Sequence, residues 1–142
     1  MAGISKALVF LTFKDIVSIN EAVIQRSEGL FAPPENLLNQ NSLLWVLEAV
    51  QSQTIFGADP YASLSDKASL IAWTIINDHV FNDGNKRTGM VSMAIFLELN
   101  GMSFAASDDE IVTMALKVAN HREQGITREA LAAWIAEHTT TT

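Results

Sequence analysis

The chain has 142 residues, 49% hydrophobic and 18% charged, with seven Gly and three Pro; this balance suits one compact domain with its own core and excludes a disordered chain. Nine Lys and Arg against sixteen Asp and Glu give a net charge of -7, a field that repels nucleic acid and anionic membranes, so a bound anion needs local positive charge. The absence of cysteine excludes a disulfide framework, a thiolate metal site and a cysteine nucleophile.

The N-terminal apolar run of residues 7–11 is too short to span a membrane, and no small-residue cleavage site follows it, so we expect a soluble cytoplasmic protein. Thr12 and Asp15, in near capping-box spacing, open an amphipathic helix to about Gln25 with Ile16, Ile19, Val23 and Ile24 apolar. Gly29 and the pair Pro33-Pro34 interrupt it, and a second helical pattern runs from about Ser42 through Leu43, Val46, Leu47 and Val50. Residues 53–61 lack helical period and contain Gly57 and Asp59-Pro60, which predicts a loop or short hairpin, a candidate flap.

Residues 65–79 place Ala68, Ile71, Ala72, Ile75, Ile76 and His79 on one stripe, while Leu70 and Trp73 add a second apolar surface, so this helix is buried on more than one side. Residues 90–99 are apolar nearly all round and stop at Asn100-Gly101, which marks the central helix. Ser107 and Glu110 form a capping box ahead of Ile111, Val112, Ala115, Leu116 and Ala119, and Thr127 caps a last helix through Ala136. The four terminal threonines are expected to fray. No repeat or linker is present, and strand alternation is confined to the N-terminal run and the candidate flap. The expectation is a single all-α domain over residues 1–142, a bundle of about five or six helices with a short flap before the central ones.

Between two of the most apolar stretches lies the polar segment around Asn82, Asp83, Gly84, Asn85 and Lys86. At a helix start the first backbone N–H groups have no intrahelical partner, and with the helix dipole they form a site for phosphate oxygens. Gly84 permits close approach of the backbone, while Lys86 and Arg87 supply charge and directed hydrogen bonds. A carboxylate beside such a cradle is electrostatically odd without a cation, which makes Asp83 a candidate ligand for Mg2+ bridging to the phosphates. His79 is of the residue type that takes a proton from an attacking hydroxyl, and its place at the end of a rigid helix would hold it steady.

Each residue also has a plainer reading: His79 as a hydrogen-bonded helix end, Asp83 as a helix N-cap, residues 82–85 as a turn, Lys86 and Arg87 as solvated charges. Their concentration between two buried helices favours a site. Zinc is disfavoured because His121 and His138 lie far along the chain, and residues 84–88 lack the spacing of a P-loop.

Residues 79–87 resemble the signature His-x-Phe-x-Asp-(Gly or Ala)-Asn-Lys-Arg of the Fic/Doc family, in its death-on-curing (Doc) toxin branch, at every defined position, continuing into Thr88. The likeness extends more loosely over residues 47–101, including Thr54, Ile55, Phe56, Gly57, Tyr61, Leu64 and Lys67. It implies a helical Fic fold with His79 as catalytic base, Asp83 at the Mg2+ site, and Gly84, Asn85, Lys86 and Arg87 holding the nucleotide phosphates, assisted by Asn82. Phe81 would anchor the loop in the core, and the flap residues Thr54, Ile55, Phe56 and Gly57 would guide a target segment.

Fic adenylyltransferases resemble His-Pro-Phe-x-(Asp or Glu)-Gly-Asn-Gly-Arg-x-x-Arg, whereas this chain has Val80, Lys86 and Met90 in place of the Pro, the second Gly and the last Arg. Those departures favour the reaction of Doc-like proteins, which bind ATP the other way round and transfer its terminal phosphate to a threonine of elongation factor Tu, halting translation. Adenylyl transfer to a protein hydroxyl, or a silent nucleotide-binding module, are the alternatives. No (Ser or Thr)-x-x-x-Glu-(Gly or Asn) inhibitory string is present, so the resemblance implies control by a separate Phd-like antitoxin whose segment folds into a groove on the toxin.

Overall fold

Capping chemistry sets most helix boundaries in the computed structural model, which describes residues 7–27, 31–52 and 61–142. Helices α1 (Phe13–Arg26), α3 (Leu64–Asn77) and α5 (Asp108–Ala119) each open on a full capping box, Thr12 with Asp15, Ser63 with Asp66, and Ser107 with Glu110. In each, a hydroxyl satisfies one orphan N–H and a carboxylate reaches back for another. Asn39 caps α2 (Gln40–Ala49), and Thr127 caps α7 (Arg128–Glu137). The start of α4 (Asn85–Leu99) differs: its N-cap is Gly84, with φ +79° and no side-chain cap. A single turn, α6 (His121–Gln124), follows α5.

The core is built on α3, which packs most extensively against α4 and, on another side, against α7. Leu70, Ile71, Ile75 and Ile76 of α3 meet Met93, Phe96 and Leu97 of α4 and Leu131 and Ile135 of α7 in one buried cluster. Gly89 lies at the α3–α4 contact: a Cβ there would stand 2.9 Å from Ile76 Cγ1 and 3.1 Å from the Ala72 carbonyl. The all-helical expectation holds, with seven helices among the described residues. None is long and apolar enough to cross a membrane among the described residues.

Three local expectations change. Residues 7–11 form no strand; the backbone N–H and C=O of Val9 are instead satisfied by the Asn100 amide, each at 2.8 Å, and Leu11 enters the core. Strands form elsewhere, as an antiparallel pair of β1 (Met102–Phe104) and β2 (Thr139–Thr141), with Phe104 opposite Thr139 and Met102 opposite Thr141. The terminal threonines therefore do not fray, because β-branched residues suit an extended ladder and Thr142 N–H closes it on the Gly101 carbonyl at 2.9 Å. Of the expected flap, residues 53–60, with Thr54, Ile55, Phe56 and Gly57, lie outside the described residues. Tyr61 is half-buried beneath the Arg128 guanidinium, 5.1 Å from the ring centre.

Candidate active site at the start of α4

The helix carrying His79 ends earlier than its apolar stripe suggests. α3 stops at Asn77, Asp78 is its C-cap, and His79 follows, exposed, with φ +48°. A left-handed residue ends a helix by turning the chain sharply, and histidine is an uncommon occupant of that conformation. His79 therefore stands beyond the helix end instead of on its last turn, and the Asp78 carbonyl before it is held by Asn39 Nδ2 at 3.1 Å.

From there the chain is strapped to the segment before α2. The Val80 carbonyl accepts from Leu38 N–H at 2.8 Å and Asn39 N–H at 3.0 Å, and Phe81 forms a bridge with Leu37. Val80 and Phe81 are both wholly buried, as the anchoring role of Phe81 requires. The Asn85 side chain then closes the loop on Phe81, accepting from its N–H at 2.9 Å and donating to its carbonyl at 2.7 Å. Because that amide is committed to the loop, what Asn85 can offer an anion is its backbone N–H.

Asp83 and the backbone of Asn85, Lys86 and Arg87 define the candidate chemistry. The first intrahelical bond of α4 runs from Thr88 N–H to the Gly84 carbonyl at 2.8 Å. The three preceding N–H groups have no partner within the helix, and no side chain caps them. Such a helix start attracts an anion. Asp83 Oδ1 accepts from Gly84 N–H at 2.8 Å, and its carboxylate is exposed. A lone carboxylate beside phosphates fits Mg2+, which keeps several waters and takes one or two protein carboxylates. It does not fit an all-protein metal centre: no group of three or more His, Cys, Asp or Glu able to hold a metal occurs among the described residues.

Two cavities flank this helix start. One, of about 750 Å³, is lined by His79, Asn82, Asp83, Gly84, Asn85 and Lys86, with Asn77 of α3 and Arg122 of α6. The other, of about 830 Å³, takes the same stretch from Asp83 to Lys86 as one wall and adds Arg87, Arg26 of α1 and apolar residues of α5. The fold thus brings together His79 with residues 82–86, while Arg87 points the site towards the second cavity. His121, distant in sequence, also reaches the first cavity, where its ring lies 4.8 Å from that of Trp73 and its Nδ1 is 3.1 Å from the Val118 carbonyl. His138 is engaged elsewhere, with Glu110.

Two residues at this site escaped the sequence reading. Asn20 and Asn36 are wholly buried, and both reach the backbone of Asp83. The available signal was an asparagine inside the apolar stripe of α1, between Ile16 and Val23; nothing in the Pro33-Pro34 turn singles out Asn36.

A model of the Fic/DOC family matches residues 10–97. Toxin Doc of Mycolicibacterium smegmatis (strain ATCC 700084 / mc(2)155) is 39% identical over 56 residues, covering 39% of this chain. The match spans 43% of the length of that relative.

Proposed function

The chain belongs to the Fic/DOC family, and on that premise we propose that it is the cytoplasmic toxin of a toxin–antitoxin pair, a protein kinase that transfers the ATP γ-phosphate to a threonine of elongation factor Tu. The observation that carries the reading is the uncapped start of α4, with Asp83 and Lys86 shared by the two cavities that flank it, His79 lining one of them and Arg87 the other. The similarity to a protein called Toxin Doc supports the toxin assignment.

In this reading the N–H groups of Asn85, Lys86 and Arg87 and the two cationic side chains hold the phosphates. His79 removes the proton from the threonine hydroxyl as its oxygen attacks the γ-phosphorus. The bond from the γ-phosphorus to the β,γ-bridging oxygen breaks and ADP departs. Asp83 would hold Mg2+, which when bound neutralises charge on the phosphates. Met90, where Fic adenylyltransferases carry their last Arg, is an uncharged core residue. This favours phosphoryl over adenylyl transfer, since a second phosphate clamp is missing.

A Phd-like antitoxin completes the pair. The second cavity opens onto Val112 and Leu116 of α5, 57% and 47% exposed, an apolar surface suited to an amphipathic segment folding onto it beside the phosphate site.

Incubation with elongation factor Tu and either γ- or α-labelled ATP tests the reaction. Transfer of the γ label alone is expected. Transfer of the α label would establish adenylylation instead, and nucleotide binding without any transfer would leave a silent binding module.

A further inference from the structure

The start of α4 is held from outside its own helix. Asn20, wholly buried on α1, donates from Nδ2 to the Asp83 carbonyl at 3.0 Å and to Thr88 Oγ1 at 3.0 Å. Its Oδ1 accepts from Asn36 Nδ2 at 2.8 Å, and that same nitrogen lies 3.4 Å from the Asp83 carbonyl. Asn36 is fixed in turn: its Oδ1 accepts from Ala32 N–H at 3.2 Å, and its carbonyl accepts from Asn82 N–H at 2.8 Å and Asn82 Nδ2 at 3.2 Å. Two buried amides from separate segments thus converge on one loop carbonyl.

Planarity carries the consequence outwards. In a trans peptide the C=O and the following N–H point in opposite directions. With the Asp83 carbonyl turned inwards onto Asn20, the Gly84 N–H is turned away from the core, where it meets Asp83 Oδ1 at 2.8 Å. The loop also packs directly on this amide: a Cβ at Gly84 would stand 3.2 Å from Asn20 Nδ2 and 2.9 Å from Ile24 Cδ1.

We infer that Asn20 and Asn36 are positioning residues of the transfer site, setting the plane of the Asp83–Gly84 peptide and through it the Asp83 carboxylate and the first amides of α4. The inference rests on the proposed reading of that helix start as the nucleotide-phosphate site. A purely structural network would also stabilise the core, so the test needs a structural control on the same helix. Asn100, half-buried at the opposite end of α4, makes three bonds, to Val9 N–H and to the Val9 and Phe96 carbonyls.

Full-length Asn20→Ala, Asn20→Ser and Asn100→Ala are compared with wild type for melting temperature, kcat and KM of transfer, MgATP affinity, and hydrogen exchange of the Asn82 and Gly84 amides, which donate to the Asn36 carbonyl and to Asp83 Oδ1. Asn20→Ser leaves a polar group with no charge to bury, and its hydroxyl is too short to replace the amide between the Asp83 carbonyl and Thr88 Oγ1, so it serves if the alanine variant does not fold. Both Asn20 variants should lose about 10- to 100-fold in kcat/KM, the scale of a reacting group displaced by about 1 Å. They should also bind MgATP more weakly and exchange Asn82 and Gly84 faster. Asn100→Ala should lower the melting temperature yet leave kinetics and exchange within about twofold. Folded Asn20 variants with wild-type kinetics and exchange would overturn the inference. Should wild type transfer no label, the kinase reading falls, and MgATP affinity and exchange in the same variants decide the positioning role alone.

Discussion

His79 occupies a backbone conformation that costs an L-residue about 1–2 kcal/mol relative to the right-handed region. Glycine would relieve that strain and give back part of it through its greater unfolded-state entropy, leaving a net gain of about 0.5–1 kcal/mol. His79→Gly is therefore expected to melt slightly higher than wild type while losing transfer altogether, and His79→Ala to lose transfer without the gain. Calorimetry beside a label-transfer assay checks both; wild-type rates in either variant would remove His79 as the base. Lys86 and Arg87 are exposed, so Lys86→Ala and Arg87→Ala should leave the melting temperature unchanged. Loss of a charge-assisted hydrogen bond should lower kcat/KM for ATP about tenfold or more, which steady-state kinetics would read directly. These side chains were legible in the sequence because their spacing is local. Asn20 and Asn36 were not, since what makes them matter is a carbonyl 63 and 47 residues away.

At the scale of elements, two helix starts were readable because a capping box places both partners within four residues, as at Thr12 and Ser107, whereas the box of Ser63 with Asp66 was passed over and that helix was read from residue 65. The β1–β2 pair was not, because three-residue strands carry almost no pattern and the partners lie at opposite ends of the C-terminal third. Its attachment to α5 is titratable. His138 Nδ1 lies 2.7 Å from the Trp134 carbonyl, and Nε2 lies 3.1 Å from Glu110 Oε2. The Trp134 carbonyl, then Glu110 and the nearby Glu137, raise the His138 pKa above its ordinary value. Hydrogen bonds from Ser107 backbone and side chain, followed by His138, lower that of Glu110. The histidine contribution is fully present below about pH 6.5 and is lost as pH rises through the raised folded value. That of Glu110 is present above about pH 4.5 and is lost as pH falls through its lowered folded value. The pair should therefore stabilise most between these limits. Melting temperatures from pH 4 to 9 should show wild type losing more than Glu110→Gln above about pH 6.5; parallel curves would dismiss the pair as a source of pH dependence.

For the molecule as a whole, the all-helical class followed from apolar periodicity alone, yet the site depends on how two helices cross, which periodicity does not encode. α3 leads to His79, the proposed base, and α4 begins at the proposed phosphate site, so their packing at Gly89 bears on the distance between the two. Replacing Gly89 by alanine gains about 1 kcal/mol of helix propensity but forces a methyl group into the contact. Ile76 can shift its side chain; the Ala72 carbonyl, 3.1 Å from the added carbon, is backbone and cannot move without moving α3. Overpacking of this kind costs about 1–3 kcal/mol, so Gly89→Ala should be near neutral to destabilising and Gly89→Val clearly destabilising. If the crossing also sets the site geometry, Gly89→Val should lower kcat beyond what its unfolded fraction explains, measured well below its melting temperature. A variant that melts lower but turns over at the wild-type rate would show that the loop contacts of Asn20, Asn36 and Asn85 hold the site independently of the helix crossing.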